Sequence, residues 1–314
     1  MNINKTPIVF CFDDNLLMPA GICITSLLDN ACSDTFYDIF ILHDNAAIFP
    51  TSGYLENLKS KYPNHNITYK NVGTAFKDAF QIRGITQATY YRLLIPELIP
   101  EYDKIMYHDV DIIFRDDLCE VFEQTNLEGF YIGGVVSPLF LDQDHYKYVQ
   151  SLNLDINNYI LAGNIILNTK LMRQDNIVQQ FSEMVKETNF KYQDMDILNI
   201  VCKGKLKKMP PKFCGTIELF KLEANDINQT LYTSEELLQL RKSGIIHYNG
   251  PKPWISLCPN FDIWWEYYRK SIFYDAKYYF NFYYSKLNAL DTLTLKQRVK
   301  LLFRYFKTIN KISN

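Results

Sequence analysis

The chain has 314 residues, of which 47% are hydrophobic, and its formal net charge is -2. This length supports one large hydrophobic core, or one domain with an appendage. A net charge near zero excludes the strongly basic composition typical of nucleic-acid-binding proteins, so we expect no nucleic-acid partner.

Seven cysteines are scattered along the chain without a C-x-x-C pair. An odd, scattered set predicts buried thiols in a reducing compartment rather than a disulfide framework or a zinc site. The apolar run near the N-terminus is too short for a signal peptide, and no run approaches the ~18 apolar residues of a membrane span. We therefore expect a cytoplasmic protein.

The N-terminal part of the chain alternates short apolar runs with amphipathic segments. The predicted strands cover residues 7–12, 37–42 and 66–71, and the predicted helices cover residues 18–30 and 52–62. Strand, helix, strand, helix, strand is the pattern of a parallel α/β sheet. Ligands of such sheets bind beyond the carboxyl ends of the strands, where Asp13, Asp14 and Asn15 follow the first run.

A further apolar run at residues 104–114 contains Asp109 and Asp111, one residue apart. In extended backbone these two side chains point to the same side. Adjacent carboxylates repel, and a divalent cation with oxygen ligands is the usual way to relieve that repulsion. Many surface strands also end in aspartate, so the pair alone is a weak signal for a metal.

Residues 89–98 are predicted to form a helix that kinks or breaks at Pro96. Arg92 is the one cation of this segment and lies among apolar and aromatic neighbours. It either extends to solvent along its aliphatic stem or binds an anion or a sugar.

Three later segments carry polar or small residues at places that matter for a site. Ala162 and Gly163 precede an apolar run, and a tight turn is the simpler interpretation there. Asp194 and Asp196 stand at the start of a predicted helix, where capping accounts for one acid better than for both. Residues 207–211 are basic and end in proline, which favours a surface link.

Residues 245–254 form the second dense polar segment. His247 follows apolar residues and precedes a stiff loop with Gly250, two prolines and Lys252. A lone histidine in such a place is most often structural. Together with two aspartates, however, it is a suitable nitrogen and oxygen ligand set for an ion such as Mn²⁺, and Lys252 is suited to phosphate.

From Cys258 onward the chain becomes aromatic and then basic. Between residues 291 and 314 one acid, Asp291, faces six cations: Lys296, Arg298, Lys300, Arg304, Lys307 and Lys311. The apolar residues there have helical spacing, which predicts a basic amphipathic helix. We favour contact with an anionic membrane surface over packing on the domain or on a second subunit, because no acidic counter-patch is evident.

These motifs, in this order, resemble the retaining glycosyltransferases of family 8. The resemblance covers residues 7–255 and implies a GT-A fold: an α/β Rossmann-like, mixed, mostly parallel sheet flanked by helices. It also implies a catalytic domain at residues 1–255 and a helical, aromatic and basic extension at residues 256–314. The motifs that carry it are residues 9–15, Thr89 to Leu93, residues 107–111, Ala162-Gly163, residues 193–198 and residues 247–254.

The resemblance implies a role for each matching position. Asp109, Asp111 and His247 would bind Mn²⁺ or Mg²⁺, and Arg92 and Asp194 would be catalytic. The nucleotide of a UDP-hexose would contact Cys11, Phe12, Asp13, Asn15, Asp109, Val110, Asp111 and Lys252. The hexose would contact Arg92, Asp109, Ala162, Gly163, Asp194 and Met195, and the acceptor would contact Tyr248 and Gly250.

Two positions depart from the family pattern. Leu161 replaces an asparagine, so one sugar hydrogen bond is missing or is supplied by Asn164. Met195 replaces a glutamine considered as a nucleophile, which favours front-face transfer. The implied function is transfer of glucose or galactose to a lipid-linked or lipopolysaccharide-like glycan, at the inner face of the cell membrane. The alternatives are a UDP-sugar-binding protein with degenerate catalysis and a glycosyltransferase that modifies protein.

Overall fold

The computed structural model describes residues 4–82, 86–225, 227 and 229–312, with side chains as far as Phe303. The chain divides into two compact units, Met1–Ile272 and Phe273–Asn314. The first unit contains both the run at residues 104–114, with Asp109 and Asp111, and the polar segment at residues 245–254.

A seven-stranded sheet forms the centre of the first unit, in the order β3-β2-β1-β4-β7-β6-β8. Its strands are β1 (Asn4–Cys11), β2 (Thr35–His43), β3 (His65–Asn71), β4 (Ile105–His108), β6 (Ile132–Val136), β7 (Ile160–Leu167) and β8 (Leu206–Lys208). The pairs β1–β2, β2–β3, β1–β4 and β6–β8 are parallel, whereas β7 is antiparallel to both β4 and β6. The predicted mixed, mostly parallel sheet is therefore confirmed.

A separate two-stranded antiparallel ribbon joins β5 (Ile112–Phe114) to β9 (Ile245–His247). Ile112 is paired with His247, although the two residues are far apart in sequence. This pairing brings the Asp109–Asp111 segment close to the polar segment at residues 245–254.

Helices flank the sheet. The first unit contains α1 (Leu17–Asp29), α2 (Ile95–Leu98), α3 (Cys119–Gln124), α4 (Gln143–Ser151), α5 (Thr169–Gln174), α6 (Ile177–Glu187), α7 (Gln193–Val201), α8 (Ile217–Ala224), α9 (Ser234–Lys242) and α10 (Phe261–Lys270). Residues Pro19 to Leu28 of α1 are all buried, as expected for a helix that is apolar all round. It lies against β5 and α10.

Residues 52–62 do not form the predicted α-helix. The segment instead contains a short 3₁₀ turn at Glu56–Ser60, and another 3₁₀ turn, Phe49–Thr51, comes just before it. Gly53 between them has a φ of +69°, a left-handed conformation that ends a right-handed helix. Leu55 and Leu58 are buried nevertheless, so the apolar spacing indicated the buried face but not the type of helix.

Three other segments refine or correct the sequence predictions. The helix around Arg92 changes type before its proline: Gln87–Leu94 is 3₁₀, and α2 begins at Ile95. Ala162 and Gly163 lie inside β7, so the tight turn expected there is wrong. The expected link at residues 207–211 is wrong in its first part, because β8 hydrogen-bonds to β6 at the sheet edge.

The second unit contains α11 (Ala276–Asp291) and α12 (Leu295–Ile312). The predicted C-terminal helix is thus present, but the side chains of Arg304, Lys307 and Lys311 lie outside the described residues. Among the residues that the structure describes, no helix combines the length and hydropathy needed to cross a bilayer.

Candidate active site

Asp109 and Asp111 are held by two different sheets. The backbone N–H of Asp109 donates to Gly163 O at 2.8 Å, which extends the β4–β7 ladder by one residue. The carbonyl of Asp111 accepts from Tyr248 N at 2.9 Å, beside the ribbon of β5 and β9. Main-chain hydrogen bonds therefore fix both carboxylates before any ligand arrives.

His247 completes a cluster with the two aspartates. Its Nε2 lies 3.3 Å from Asp111 Oδ1 and 3.6 Å from Asp109 Oδ2. One ligand atom from each residue lies within 4.8 Å of the other two. The predicted metal ligands are thus brought together, and their carboxylate and imidazole donors suit a divalent ion such as Mn²⁺.

The charges of this cluster compensate one another. Burial lowers the pKa of His247, but Asp111 and Cys214 together outweigh burial and raise this pKa well above its ordinary value. Burial would raise the pKa of Asp111, but His247 and Lys252 hold it well below its usual range. The two half-buried carboxylates are therefore stabilised by neighbouring cations.

Gly163 leaves the space between two of these ligands open. A Cβ atom on this residue would lie 2.4 Å from His247 Cε1 and 2.5 Å from Asp109 Oδ2. Both distances are far shorter than carbon contacts allow, so only glycine fits here. The glycine thus keeps room for a small ion beside Asp109 and His247.

A buried polar group holds the other edge of the His247 ring. Its Nδ1 lies 3.3 Å from Asn164 Nδ2 and 3.5 Å from Cys214 Sγ. Asn164 also bonds His108 Nδ1 at 2.7 Å through its Oδ1, and its side chain is 0% exposed. These contacts orient Nε2 toward the carboxylates. They also make the idea that Asn164 supplies a sugar contact wrong.

Arg92 lies between two carboxylates and is 6% exposed. Its Nη2 is 2.9 Å from Asp109 Oδ1, and its Nε is 3.1 Å from Asp194 Oδ2. Its Nη1 donates to Ala162 O at 2.8 Å, and its guanidinium lies 4.2 Å from the ring centroid of Tyr107. Arg92 does not extend to solvent. It orients both acids.

Asp194 and Asp196 have separate environments. Burial raises the pKa of Asp194, against the opposing effects of Arg92 and of Thr89, whose hydroxyl donates to Asp194 Oδ1 at 2.6 Å. Asp196 is 0% exposed and accepts from the hydroxyls of Tyr148 and Tyr159, both at 2.7 Å. It also accepts from Tyr192 N at 2.8 Å, so Asp196 holds the start of α7 while Asp194 faces Arg92.

Met195, between these two acids, is partly buried. It lies against a group of buried apolar residues: Leu139, Val149 and Tyr159. A thioether in this place has no nucleophilic oxygen or nitrogen to offer.

The residues predicted to bind uracil lie at the end of β1. Cys11 is 8% exposed, and burial raises the pKa of its thiol. Phe12 stacks on Phe49 with ring centroids 4.7 Å apart. Asp13 is half-buried, and its carboxylate accepts from the backbone N–H of Asn15 at 3.0 Å, while the Asn15 side chain is exposed.

Lys252 lies on the loop after β9 and contacts the cluster of Asp109, Asp111 and His247. Its ammonium bonds Asp111 Oδ2 and donates to Tyr248 O at 2.7 Å. Gly250 is exposed, whereas Tyr248 is 2% exposed and its hydroxyl donates to Asn260 O at 2.7 Å. The main chain of Tyr248 is thus what borders the cluster.

Thr89 and Tyr107 belong to sequence motifs, but their contacts with the two acids are evident only in the structure. The Tyr107 hydroxyl donates to Asp109 Oδ1 at 2.6 Å, two residues further along the chain. This alternation within one strand was a usable signal. Cys214 carried none, because nothing in its local sequence places it behind His247.

The fold, with its polar cluster beside the carboxyl ends of β1 and β4, is that of a glycosyltransferase. The model of glycosyl transferase family 8 matches residues 7–258, and the chain belongs to this family.

Among curated proteins, the chain is similar to a putative glycosyltransferase of Haemophilus influenzae, at 30% identity over 55% of this chain and 51% of that protein. It is also similar to lipopolysaccharide 1,2-glucosyltransferase of Escherichia coli, at 25% identity over 81% of this chain and 75% of that protein. The match to glycosyltransferase GlyB of Streptococcus pneumoniae covers 62% of that protein. The chain thus spans about half to three fifths of the Haemophilus and Streptococcus relatives.

Among solved structures, an active-site mutant of LgtC is similar with a TM-score of 0.72 and 24% identity, over 87% of this chain and 99% of that one. The galactosyltransferase LgtC in complex with donor and acceptor sugar analogs is similar with a TM-score of 0.70 and 23% identity, over the same shares of the two chains. The chain therefore has the GT-A fold predicted from its sequence.

Proposed function

We propose that the chain is a metal-dependent retaining glycosyltransferase that moves glucose or galactose from a UDP-sugar to a cell-surface glycan. One observation carries the proposal. Ligand atoms of Asp109, Asp111 and His247 converge within 4.8 Å, with Lys252 on Asp111 and the Arg92–Asp194 pair on Asp109.

The residues of the cluster fit Mn²⁺ or Mg²⁺. Two carboxylates and one imidazole nitrogen are suitable donors, and Gly163 keeps the space beside them clear. When bound, such an ion supplies positive charge against the developing negative charge of the UDP leaving group.

The chain's own residues divide the remaining work. Lys252 leaves Asp111 for the diphosphate, where its ammonium stabilises the leaving group. Arg92 keeps Asp109 and Asp194 in place through the contacts described above. The Asp194 carboxylate then lies beside the hexose, where a negative charge stabilises an oxocarbenium-like transition state.

The stereochemical course follows from what stands near Asp194. Met195 packs into an apolar group and has no lone pair suited to displacement at the anomeric carbon. We infer front-face transfer: the acceptor hydroxyl attacks from the side on which UDP departs, and a β-phosphate oxygen takes its proton. Gly250 and the main chain of Tyr248 border the acceptor, and Cys11, Phe12, Asp13, Asn15 and Val110 border the nucleotide.

Calorimetry with UDP, with and without Mn²⁺, tests the site, and a panel of UDP-sugars then tests turnover. We expect UDP affinity to require the ion, and hydrolysis of UDP-glucose or UDP-galactose to be metal-dependent. UDP affinity that is independent of every divalent ion would refute the proposal. Tight UDP binding without turnover on any sugar or acceptor would instead favour a UDP-sugar-binding protein, the reading that Leu161 and Met195 allow.

The second unit supports a lipid-linked or lipopolysaccharide-like acceptor at an anionic membrane surface, which we place at the inner face of the cell membrane. On α11, Phe280, Tyr284 and Leu287 are 64%, 67% and 58% exposed, at helical spacing. On α12, Leu295 and Phe303 are 78% and 72% exposed, near Lys296, Arg298 and Lys300. Exposed apolar side chains beside cations are typical of helices that lie in the headgroup region.

Sedimentation with vesicles tests this attachment. The full chain should bind vesicles rich in anionic lipid and should release them in high salt. Replacing Phe280, Leu295 and Phe303 by serine should abolish binding while UDP affinity stays the same. Equal binding to neutral vesicles, or none to anionic ones, would contradict the proposed attachment.

A further inference from the structure

The short loop that carries Lys252 is anchored at both ends to one helix. We call residues 248–253 the lysine loop. At one end, the Tyr248 hydroxyl donates to the carbonyl of Asn260, which caps α10. At the other end, the indole Nε1 of Trp265 in α10 donates to Pro253 O at 3.0 Å.

We propose that Trp265 is a positioning residue that sets the reach of Lys252. This inference rests on the proposed function, because it concerns the contact between Lys252 and a diphosphate. Neither Asn260 nor Trp265 falls within the part of the chain that the family model matches, which ends at residue 258.

The backbone on either side of Lys252 is stiff. Pro251 and Pro253 each fix their own φ, and each also restricts the residue before it. The carbonyl of Lys252 accepts from Ile255 N and Ser256 N, both at 2.9 Å. A hydrogen bond that fixes Pro253 O therefore also restricts the position of the Lys252 Cα.

The reach of the ammonium is sensitive to that position. The Lys252 ammonium bonds both the Asp111 carboxylate and Tyr248 O. The side chain therefore connects the first residue of the loop to one of the candidate metal ligands. Without the indole hydrogen bond, Pro253 O would be a buried acceptor with one donor fewer, and the loop would gain freedom. Each state in which Lys252 misses the diphosphate lowers the apparent affinity for UDP.

The neighbouring Trp264 provides a matched control. Trp264 and Trp265 are both 0% exposed and lie in the same helix with ring centroids 4.9 Å apart. Among the described residues, however, the Trp264 Nε1 has no hydrogen-bond partner. Replacing either by phenylalanine removes the same volume, but only one replacement removes a hydrogen bond to the lysine loop.

The experiment is a double-mutant cycle measured by calorimetry with UDP in saturating Mn²⁺. Trp265→Phe should weaken UDP binding about three- to tenfold, as expected for loss of one buried hydrogen bond, whereas Trp264→Phe should leave it close to wild type. In a Lys252→Met background, Trp265→Phe should have no further effect, because the side chain that it positions is gone. Affinity for Mn²⁺ without nucleotide should not fall in either tryptophan variant, which separates loss of the Lys252 contact from damage to the metal ligands.

Thermal unfolding shows whether each variant folds. If Trp265→Phe does not fold, Tyr248→Phe removes the other anchor and should give the same selective loss. Equal UDP affinities for the two tryptophan variants, or a Trp265→Phe effect that persists in Lys252→Met, would overturn the inference. Both results presuppose a wild type that binds UDP, and a wild type that does not bind UDP refutes the proposed function instead.

Discussion

Gly163→Ala offers a direct test of the cradle between His247 and Asp109. The new Cβ would lie 2.4 Å from His247 Cε1, whereas carbon atoms in contact are about 3.5 Å apart. The imidazole would therefore have to retreat by about 1 Å, which is several times the tolerance of about 0.2 Å for metal–ligand distances. Overpacking of this kind costs about 1–3 kcal/mol, and because the displaced imidazole must return to its place to hold the ion, binding would bear that cost as an affinity about 5- to 150-fold weaker.

Titration of Mn²⁺, followed by the electron paramagnetic resonance signal of the free ion, measures this affinity without any substrate. Gly133→Ala is the matched control, because a Cβ there would meet the flexible thioether of Met209 at 3.1 Å, also within the sheet. We expect the control to bind Mn²⁺ like the wild type and Gly163→Ala to bind it far more weakly. Wild-type affinity in a folded Gly163→Ala protein would show that the ion is held elsewhere.

Three further predictions concern charged side chains. Lys252→Gln should weaken UDP binding about tenfold, by loss of a charged contact, yet strengthen Mn²⁺ binding without nucleotide, because no ammonium then competes for Asp111; calorimetry separates the two effects, and weaker Mn²⁺ binding would contradict the reasoning. Asp194→Ala should lower turnover far more than UDP affinity, and an equal loss of both would count against its proposed role. The Asp117 carboxylate accepts from the Tyr37 hydroxyl at 2.6 Å, and such hydrogen bonds lower its pKa against the effect of burial. The contribution of this carboxylate to folding is present above its unfolded pKa of about 3.9 and disappears as pH falls through the lower folded pKa. Asp117→Asn should therefore reduce the free energy of unfolding by about 2 kcal/mol at pH 7 and by progressively less below pH ~4. A difference in the free energy of unfolding that stays constant with pH in denaturant titrations would refute this.

The sequence predicted the buried strands because a fully buried strand leaves a short, continuous apolar run. It also grouped Asp109, Asp111 and His247 as one ligand set, because two carboxylates and an imidazole suit an ion such as Mn²⁺ and because the ordered motifs resemble those of family 8. Residues 52–62 failed as a helix, since Tyr54, Leu55 and Leu58 have a spacing that 3₁₀ turns satisfy equally well. Only the left-handed Gly53 distinguishes the two outcomes.

Strand direction could not be predicted, because an apolar run reads the same in either orientation. The turn expected at Ala162–Gly163 was wrong for this reason: antiparallel pairing places Asn164 opposite His108, and the small residues continue the ladder. The contacts of Trp265 were equally inaccessible. An aromatic run beyond residue 256 looks like part of an extension, and only tertiary packing brings its indole to Pro253.

The division of the ligands between two sheets has a mechanical consequence. Asp109 directly follows β4 of the seven-stranded sheet, whereas Asp111 directly precedes β5 and His247 ends β9, the two strands of the ribbon. An ion bound by all three residues would link the ribbon to the seven-stranded sheet. Its arrival would slow backbone amide exchange in the ribbon more than in the sheet, where the exchange of β1 and β4 is already limited by burial. Occupancy of the site would thus be measurable as slower amide exchange in the β5–β9 ribbon, without any substrate.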